Sequence, residues 1–595
     1  MSATGCGDDS AGTGGASGSG GAGGSGGAGG SGGNRDGGPP DAMTDAFIRG
    51  DGGYPGNIGA PCGSVTDCGQ TSDYRCYQQD FFGCTPGFCS RTCDTQACPA
   101  GAVCAEIDVL DQQGNPSMLK RCFLPCNTNN DCGDPGRLYC DLARHICGSG
   151  QFLENEGTLG ARMTGGQLCS AAPPPAGAPL FGQNRAASDP MLSRPSEPYI
   201  AVDPGTPTYV YVAYNGRGST VSVSSDDGVT WAHHGIRQVD PGDAGDPVLA
   251  VDASRTVGGA HPVWHVYLTN AAGSCGPNGQ YPGNNTIRAI HSDDHGATWV
   301  NPVTANDAMY SADAYFLDKP WLHIAPNGTI YVTFTVFPTA LNAPTTDIVL
   351  ATSQDHGLTW RNIVVNDTSP DRAHGRQLSG MASDAASHLY LVWTEDSGNP
   401  DDLGGLTYLA KSTDNGNTVT HPNIRVNPTP EAVFDDPQVV VAADGSKVYV
   451  VYGGAVAGGQ ADAEDIKATL SLDGGMTWQT PIKVNDDPSC ATHWHPAATA
   501  DASGNLWIIY YDARDGDGRV VWVKAGVASN ALAIIDRGLV TDATALFTTS
   551  RVSFFLGDYI GLAYGGGKLY ATWGDLRDIV ATQSVRMYYA SGMAR

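Results

Sequence analysis

One short pattern recurs five times between residues 224 and 478: Ser, any residue, Asp, any, Gly, any, Thr and usually Trp. The first copies are Ser224/Asp226/Gly228/Thr230/Trp231, Ser292/Asp294/Gly296/Thr298/Trp299 and Ser353/Asp355/Gly357/Thr359/Trp360. The fourth, Ser412/Asp414/Gly416/Thr418, has Val419 in place of Trp, and the fifth is Ser471/Asp473/Gly475/Thr477/Trp478. Successive aspartates lie 59 to 68 residues apart, so the pattern marks a repeating unit. Each copy follows an alternating strand. Asp can accept turn N–H groups, Gly permits positive φ, and Thr-Trp starts the return strand. The pattern therefore reads as a hairpin clamp, and its five aspartates as structural.

A second repeat surrounds the first. An apolar strand, a short turn and a strand rich in Val, Tyr and Trp occur seven times, from Pro198–Val202 with Tyr209–Tyr214 to Tyr559–Ala563 with Leu569–Trp573. Four-stranded sheets at this spacing bury their faces by stacking radially around a channel. Closing the ring also protects the inner edges. The expected fold is an all-β propeller of four-stranded blades, seven favoured and six the alternative, over residues 196–595. The last unit has room for only three strands, so its outer strand must come from elsewhere. Ala178-Pro-Leu-Phe-Gly182 or its neighbours are the available donors.

The chain before the repeats divides by composition. Residues 1–56 are mostly Gly, Ser, Ala and Asp and read as a flexible tether. Thirteen of the 17 cysteines fall between Cys62 and Cys147, with gaps too irregular for zinc ligation. Residues 57–148 are thus expected to form a small disulfide-rich domain in an oxidising compartment, and 149–195 a linker. Cys6, after Ala3-Thr4-Gly5 and before the tether, resembles the lipidated cysteine of a bacterial lipoprotein, although no charged or apolar signal region precedes it. Setting Cys6 aside leaves an even number of cysteines. No run of about 18 apolar residues occurs, so membrane association is expected only through an anchor at Cys6.

With 61 acidic and 33 basic residues the net charge is −28, which argues against nucleic acid and anionic lipid as partners. It is compatible with bound Ca²⁺, though no cofactor is required.

The clamps and the seven strand pairs together resemble the sialidase-like propellers with BNR (Asp-box) repeats, over about two thirds of the chain. That resemblance implies an exo-acting glycosidase, a glycan-binding protein or a non-enzymatic surface protein. A sialidase of this family grips the sialic-acid carboxylate with three arginines, one in an Arg-Ile-Pro-like motif. It uses a tyrosine with an acidic partner as nucleophile and an aspartate as acid/base. The nearest counterpart of the arginine motif here is Arg194-Pro195, separated from the first strand.

Strand order places any site. Starts of innermost strands and ends of second strands meet at one rim, opposite the clamps. The strand starts carry Glu197, Asp246, Asp318, Lys319, Asp436, His495 and Asp558. The second-strand ends carry Arg217, Glu395, Asp396, Asp512, Arg514, Asp575 and Arg577. The catalytic candidates are Asp436, Asp558 and Glu395 as paired carboxyl groups and Tyr511 and Tyr559 as phenolic nucleophiles. Arg217, Arg514 and Arg577 are candidates for gripping an acidic sugar or peptide carboxylate, with Asp246, Asp318, Lys319 and His495 as further ligand contacts. The alternative for Asp512/Arg514 and Asp575/Arg577 is that they anchor loops. His493 and His495 lack a third nearby metal ligand in the sequence. The reading is of an extracellular or surface-anchored propeller that binds glycan or surface protein at its polar mouth. The alternative is an exo-acting glycoside hydrolase of sialidase type, and a structural role in the cell envelope is a third.

Overall fold

The computed structural model describes residues 61–62, 74–77, 87–93, 97–110, 116–125, 139–141 and 146–148 of the cysteine-rich region. Beyond it, residues 180–192, 195–270, 283–311, 314–339, 346–367, 375–396, 405–428, 437–454, 465–487, 493–512, 514, 518–543, 556–578 and 585–595 are described. Cys6, Cys275, Cys490 and Asp436 lie outside these residues, as do the loop insertions after Asn270 and between Gly454 and Asp465.

Seven four-stranded antiparallel sheets form the propeller. The innermost strands are Ser196–Val202, Asp243–Val251, Tyr315–Ile324, Arg376–Ser383, Gln438–Val441, His493–Ala500 and Gly561–Gly565, for blades one to seven. Each touches the next, and the seventh touches the first, which closes the ring. The second strands are wholly buried in blades one, five and six, because sheets cover both of their faces. That explains their continuous apolar runs, such as Leu506–Asp512.

Blade seven borrows its outer strand. Arg185–Ala186, from before the first blade, pairs with the strand Arg586–Met593, and Phe181 bridges to Gly592. The pairing joins residues about 400 positions apart. A Cβ at Gly592 would run into the Leu180 carbonyl, so glycine is required for this close approach.

The five clamps share one set of bonds. In the fifth, Ser471 donates to Asp473 at 2.7 Å, and the Thr477 amide and hydroxyl donate to the two Asp473 oxygens at 2.9 and 2.6 Å. The Gly475 amide donates back to the Ser471 hydroxyl at 2.8 Å. In the first clamp these bonds, led by those from Thr230, hold the Asp226 carboxyl down at about 2. The clamp glycine has a second duty. Gly228 and Gly357 sit at φ 77° and 82°, and a Cβ there would strike Tyr589 and Trp264 of the preceding blade.

The residue before each glycine latches the ring. In the first four clamps it is Asp227, His295, His356 or Asn415, all at φ between 57° and 59°, and in the fifth it is Gly474, at 73°. Asp227 of blade one pairs with Lys568 of blade seven at 2.7 Å. Asn415 of blade four accepts from Asn327 of blade three at 2.9 Å, and His295 of blade two stacks on Tyr209 of blade one. Asp473→Ala is expected to lower stability by about 1–2 kcal/mol, since it removes the acceptor of several turn donors. A denaturant midpoint unchanged from the parent protein would contradict this account of the clamp.

In the cysteine-rich region, Cys93–Cys104 and Cys98–Cys122 are disulfide-bonded, and Cys89 and Cys147 are also in disulfides.

Candidate functional site

In blades one, two, three, four and six the pairing of the innermost strand is interrupted near its start by a bulge, which bends the strand. Pairing slips between Gly245 and Val248, Asp318 and Trp321, Gln377 and Gly380, and Trp494 and Ala497. At this position Glu197, Asp246, Lys319 and His495 adopt φ of 54°, 56°, 48° and 53°. Each is followed by proline (Pro198, Pro247, Pro320 and Pro496). Left-handed backbone costs a non-glycine residue roughly 1–2 kcal/mol. Four such residues at one rim mark a place where strain is retained.

The bulges bring Glu197, Asp246 and Lys319 together at the axis, where Asp558 joins them. Lys319 of blade three contacts Asp558 at the start of blade seven, lies 3.2 Å from Glu197 of blade one and 4.0 Å from Asp246 of blade two. Blades three and seven are not neighbours, so this ammonium reaches across the channel. Asn215, at the end of the second strand of blade one, donates to Glu197 and accepts from the Asp246 amide at 2.9 Å. Gln377 of blade four donates to Asp318 at 3.1 Å. Gly557, at φ 110°, lets blade seven pack against the Glu197 backbone and delivers Asp558 to the cluster.

Beneath the charges the axis is plugged. Tyr199, Trp321 and Tyr559, from blades one, three and seven, meet edge to face with ring centroids 5.2 to 6.5 Å apart. The Tyr559 hydroxyl donates to the Pro247 carbonyl at 3.2 Å. Lys319 lies 5.9 Å over the Tyr559 ring, so the rings form an aromatic floor to the charged mouth, termed the cup below.

Burial and mutual charge divide the carboxyl groups. Burial, reinforced by Asp246 and Asp558 and opposed by Lys319, raises Glu197 to about 8. Burial likewise raises Asp246 to about 6, and lifts Asp318. For Asp558 the loss of bulk water works upward, but the Lys319 contact and the charge of His495 prevail and hold it below the usual range. Burial would lower Lys319, yet the surrounding carboxylates keep its ammonium well above the ordinary value. The cup therefore sets Glu197, which burial pushes toward its protonated form, beside Asp558, which Lys319 holds ionised. The Asp558 side chain is 41 % exposed and the Glu197 side chain 3 %.

The chain's fold is similar to that of sialidases and of an α-L-arabinanase. The Hadza microbial sialidase Hz136 covers 65 % of this chain and 74 % of its own, at 14 % identity and TM-score 0.38. The intramolecular trans-sialidase from Ruminococcus gnavus covers 69 % and 96 %, at 16 % and 0.38. The α-L-arabinanase from Penicillium chrysogenum covers 60 % and 99 %, at 14 % and 0.40. No protein-family model and no curated protein matches the sequence.

Of the residues singled out from sequence, the structure brings together Asp246, Asp318, Lys319 and Asp558, with His495 beside Asp558. The three arginines do not form a common grip. Arg514 is bonded to Asp512 at 2.7 Å and to Asp486 at 2.5 Å. Arg577 is bonded to Asp575 and Asp542, each at 2.6 Å, and lies 4.3 Å over the Tyr588 ring. These are the loop anchors that the sequence left open as the alternative. Arg217 is exposed, and among the described residues it makes no ion pair.

Glu395 is 1 % exposed and paired with the buried Arg376 at 3.2 Å. The Tyr511 hydroxyl is bonded to the Gly574 carbonyl and amide, both at 2.9 Å, and burial pushes it well above the tyrosine range. Both Tyr511 and Tyr559 are held as packing groups, since a nucleophile needs an open, activated hydroxyl.

Asn215, Gln377 and Arg376 escaped the sequence reading because no pattern marks a second-strand Asn or a first-strand Gln as axial. Glu197 was visible as a strand-start charge, but its burial was not.

Asp465, Asp487 and His493 lie close enough together to hold a metal ion. The Asn485 amide nitrogen already sits among them, 2.9, 2.6 and 3.2 Å from Asp465, Asp487 and the His493 Nδ1. At the mouth, the Lys319 ammonium takes the place a cation would occupy between the carboxylates.

Proposed function

We propose that the cup binds the end of an extracellular glycan, presented from the cell surface on the disulfide-rich stalk and tether, with Cys6 as the lipid anchor. One observation carries this reading: an ionised, partly open Asp558 is held at the axis by a cross-channel lysine over an aromatic floor. A fixed carboxylate of this kind accepts hydrogen bonds from sugar hydroxyls, and the rigid ring spares the cost of ordering a loop on binding.

A second reading has its own support. The opposed shifts of Glu197 and Asp558 are the division of labour between a proton donor and an ionised carboxylate in a glycoside hydrolase. The deep burial of Glu197 favours binding, because a general acid must reach the glycosidic oxygen.

A glycan array probed with the protein and with Asp558→Asn tests both. Saturable binding that falls at least tenfold in the variant, without change in thermal midpoint, is the expected result. Equal binding by the variant would contradict it. Turnover of aryl glycosides that is lost in both Glu197→Gln and Asp558→Asn would replace binding with hydrolysis.

A further inference from the structure

We infer that the sugar terminus recognised in the cup carries no negative charge: a neutral glycan end, not a sialic or uronic acid. This rests on the glycan-binding reading and specifies its ligand.

The described cations near the cup are already committed to carboxylates. An acidic sugar needs a cation with spare hydrogen bonds, set at the floor of its site. Lys319 is shared among Asp558, Glu197 and Asp246. Arg514 and Arg577 are bonded to Asp512 and Asp575, which are 2 % and 0 % exposed. Turning either arginine toward a ligand would strand a buried carboxylate. Arg376 is likewise held by Glu395. Among the described residues, Arg217 at the end of the second strand of blade one is the remaining candidate arginine, and the open group of the cup is the Asp558 carboxylate. Bringing a second carboxylate there sets like charges together.

The cup also offers a neutral partner. Ser196 precedes Glu197 and pairs across the strand with Asn215, whose side chain touches Glu197. Cross-strand partners share a face, which puts the Ser196 hydroxyl on the cluster's side. It is 2 % exposed and has no hydrogen-bond partner among the described residues. A hydroxyl that both donates and accepts, beside an acceptor-only Asp558, suits a polyol and its water.

The test uses matched oligosaccharides, N-acetyllactosamine-, glucose-, mannose- and arabinose-terminated chains alongside sialyl-N-acetyllactosamine and a glucuronic-acid-capped chain, titrated calorimetrically into the full chain. The expected result is at least a tenfold preference for neutral ends, narrowed in Asp558→Asn. Equal or tighter binding of the acidic chains, lost in Arg217→Ala, would overturn the neutral class and leave glycan binding standing. Binding of none of these chains would overturn both.

Discussion

Replacing Arg376 with methionine is expected to destabilise the protein by about 3–5 kcal/mol, because it leaves Glu395 as an uncompensated buried charge. Both partners are almost wholly enclosed, at 2 % and 1 % exposure. The pair ties the start of the innermost strand of blade four to the end of its second strand, where Arg376 and Glu395 are cross-strand partners. Arg376 also donates to the Thr346 carbonyl at 3.0 Å, which ties blade four to the lead into the third strand of blade three, Asp347–Ser353. Substituting both residues with apolar side chains should recover most of the loss, since the penalty lies in the orphaned charge. Urea denaturation of the single and double variants measures this. A single variant within 1 kcal/mol of the parent would show that Glu395 is free to serve as a site carboxylate.

Glu197→Gln is expected to change how stability depends on pH. Burial holds the folded carboxyl up at about 8, against 4.5 for an ordinary glutamate. Between those pH values the unfolded chain releases a proton that the folded protein keeps. Stability therefore falls as pH rises through the window, and the cost is complete above about 8. Glutamine keeps the shape and has no such cost. The variant should match the parent near pH 4 and exceed it at pH 9 by on the order of a few kcal/mol. Asp246 and Asp243, raised to about 6, add a shallower loss at lower pH in both proteins. A gap between variant and parent that is the same at pH 5 and pH 9 would refute the buried acid.

What sequence made legible was what repeats. The clamps, the strand pairs and the shortage of one outer strand are consequences of local chemistry copied along the chain, so each copy supports the others. The rim also followed from strand order, and Asp246, Asp318, Lys319 and Asp558 lie together there. The failures are of a different kind. Arg514 and Arg577 looked like ligand-gripping groups because a sequence shows a charge but not the charge beside it. Asp486 and Asp542 neutralise them from the ends of outer strands, in loops that no repeat predicts. Tyr511 reads as a phenol near a carboxylate, yet its hydroxyl is spent joining blade six to Gly574 of blade seven. The outer strand of blade seven came from Arg185–Ala186, a few residues beyond the segment named first, because a two-residue strand leaves no period to read.

The bulge residues show the same limit in reverse. Glu197-Pro198, Asp246-Pro247, Lys319-Pro320 and His495-Pro496 are visible as charge-proline pairs, but left-handed backbone before proline is the opposite of its ordinary preference. Only the closed ring forces that conformation and directs the side chains inward.

The most direct measurement is the crystallographic position of a bound neutral oligosaccharide. The account predicts its terminal ring in the cup, with a hydroxyl within hydrogen-bond distance of Asp558 and the aromatic floor below. Density for the sugar on the clamp face, or between blades with the cup empty, would contradict it.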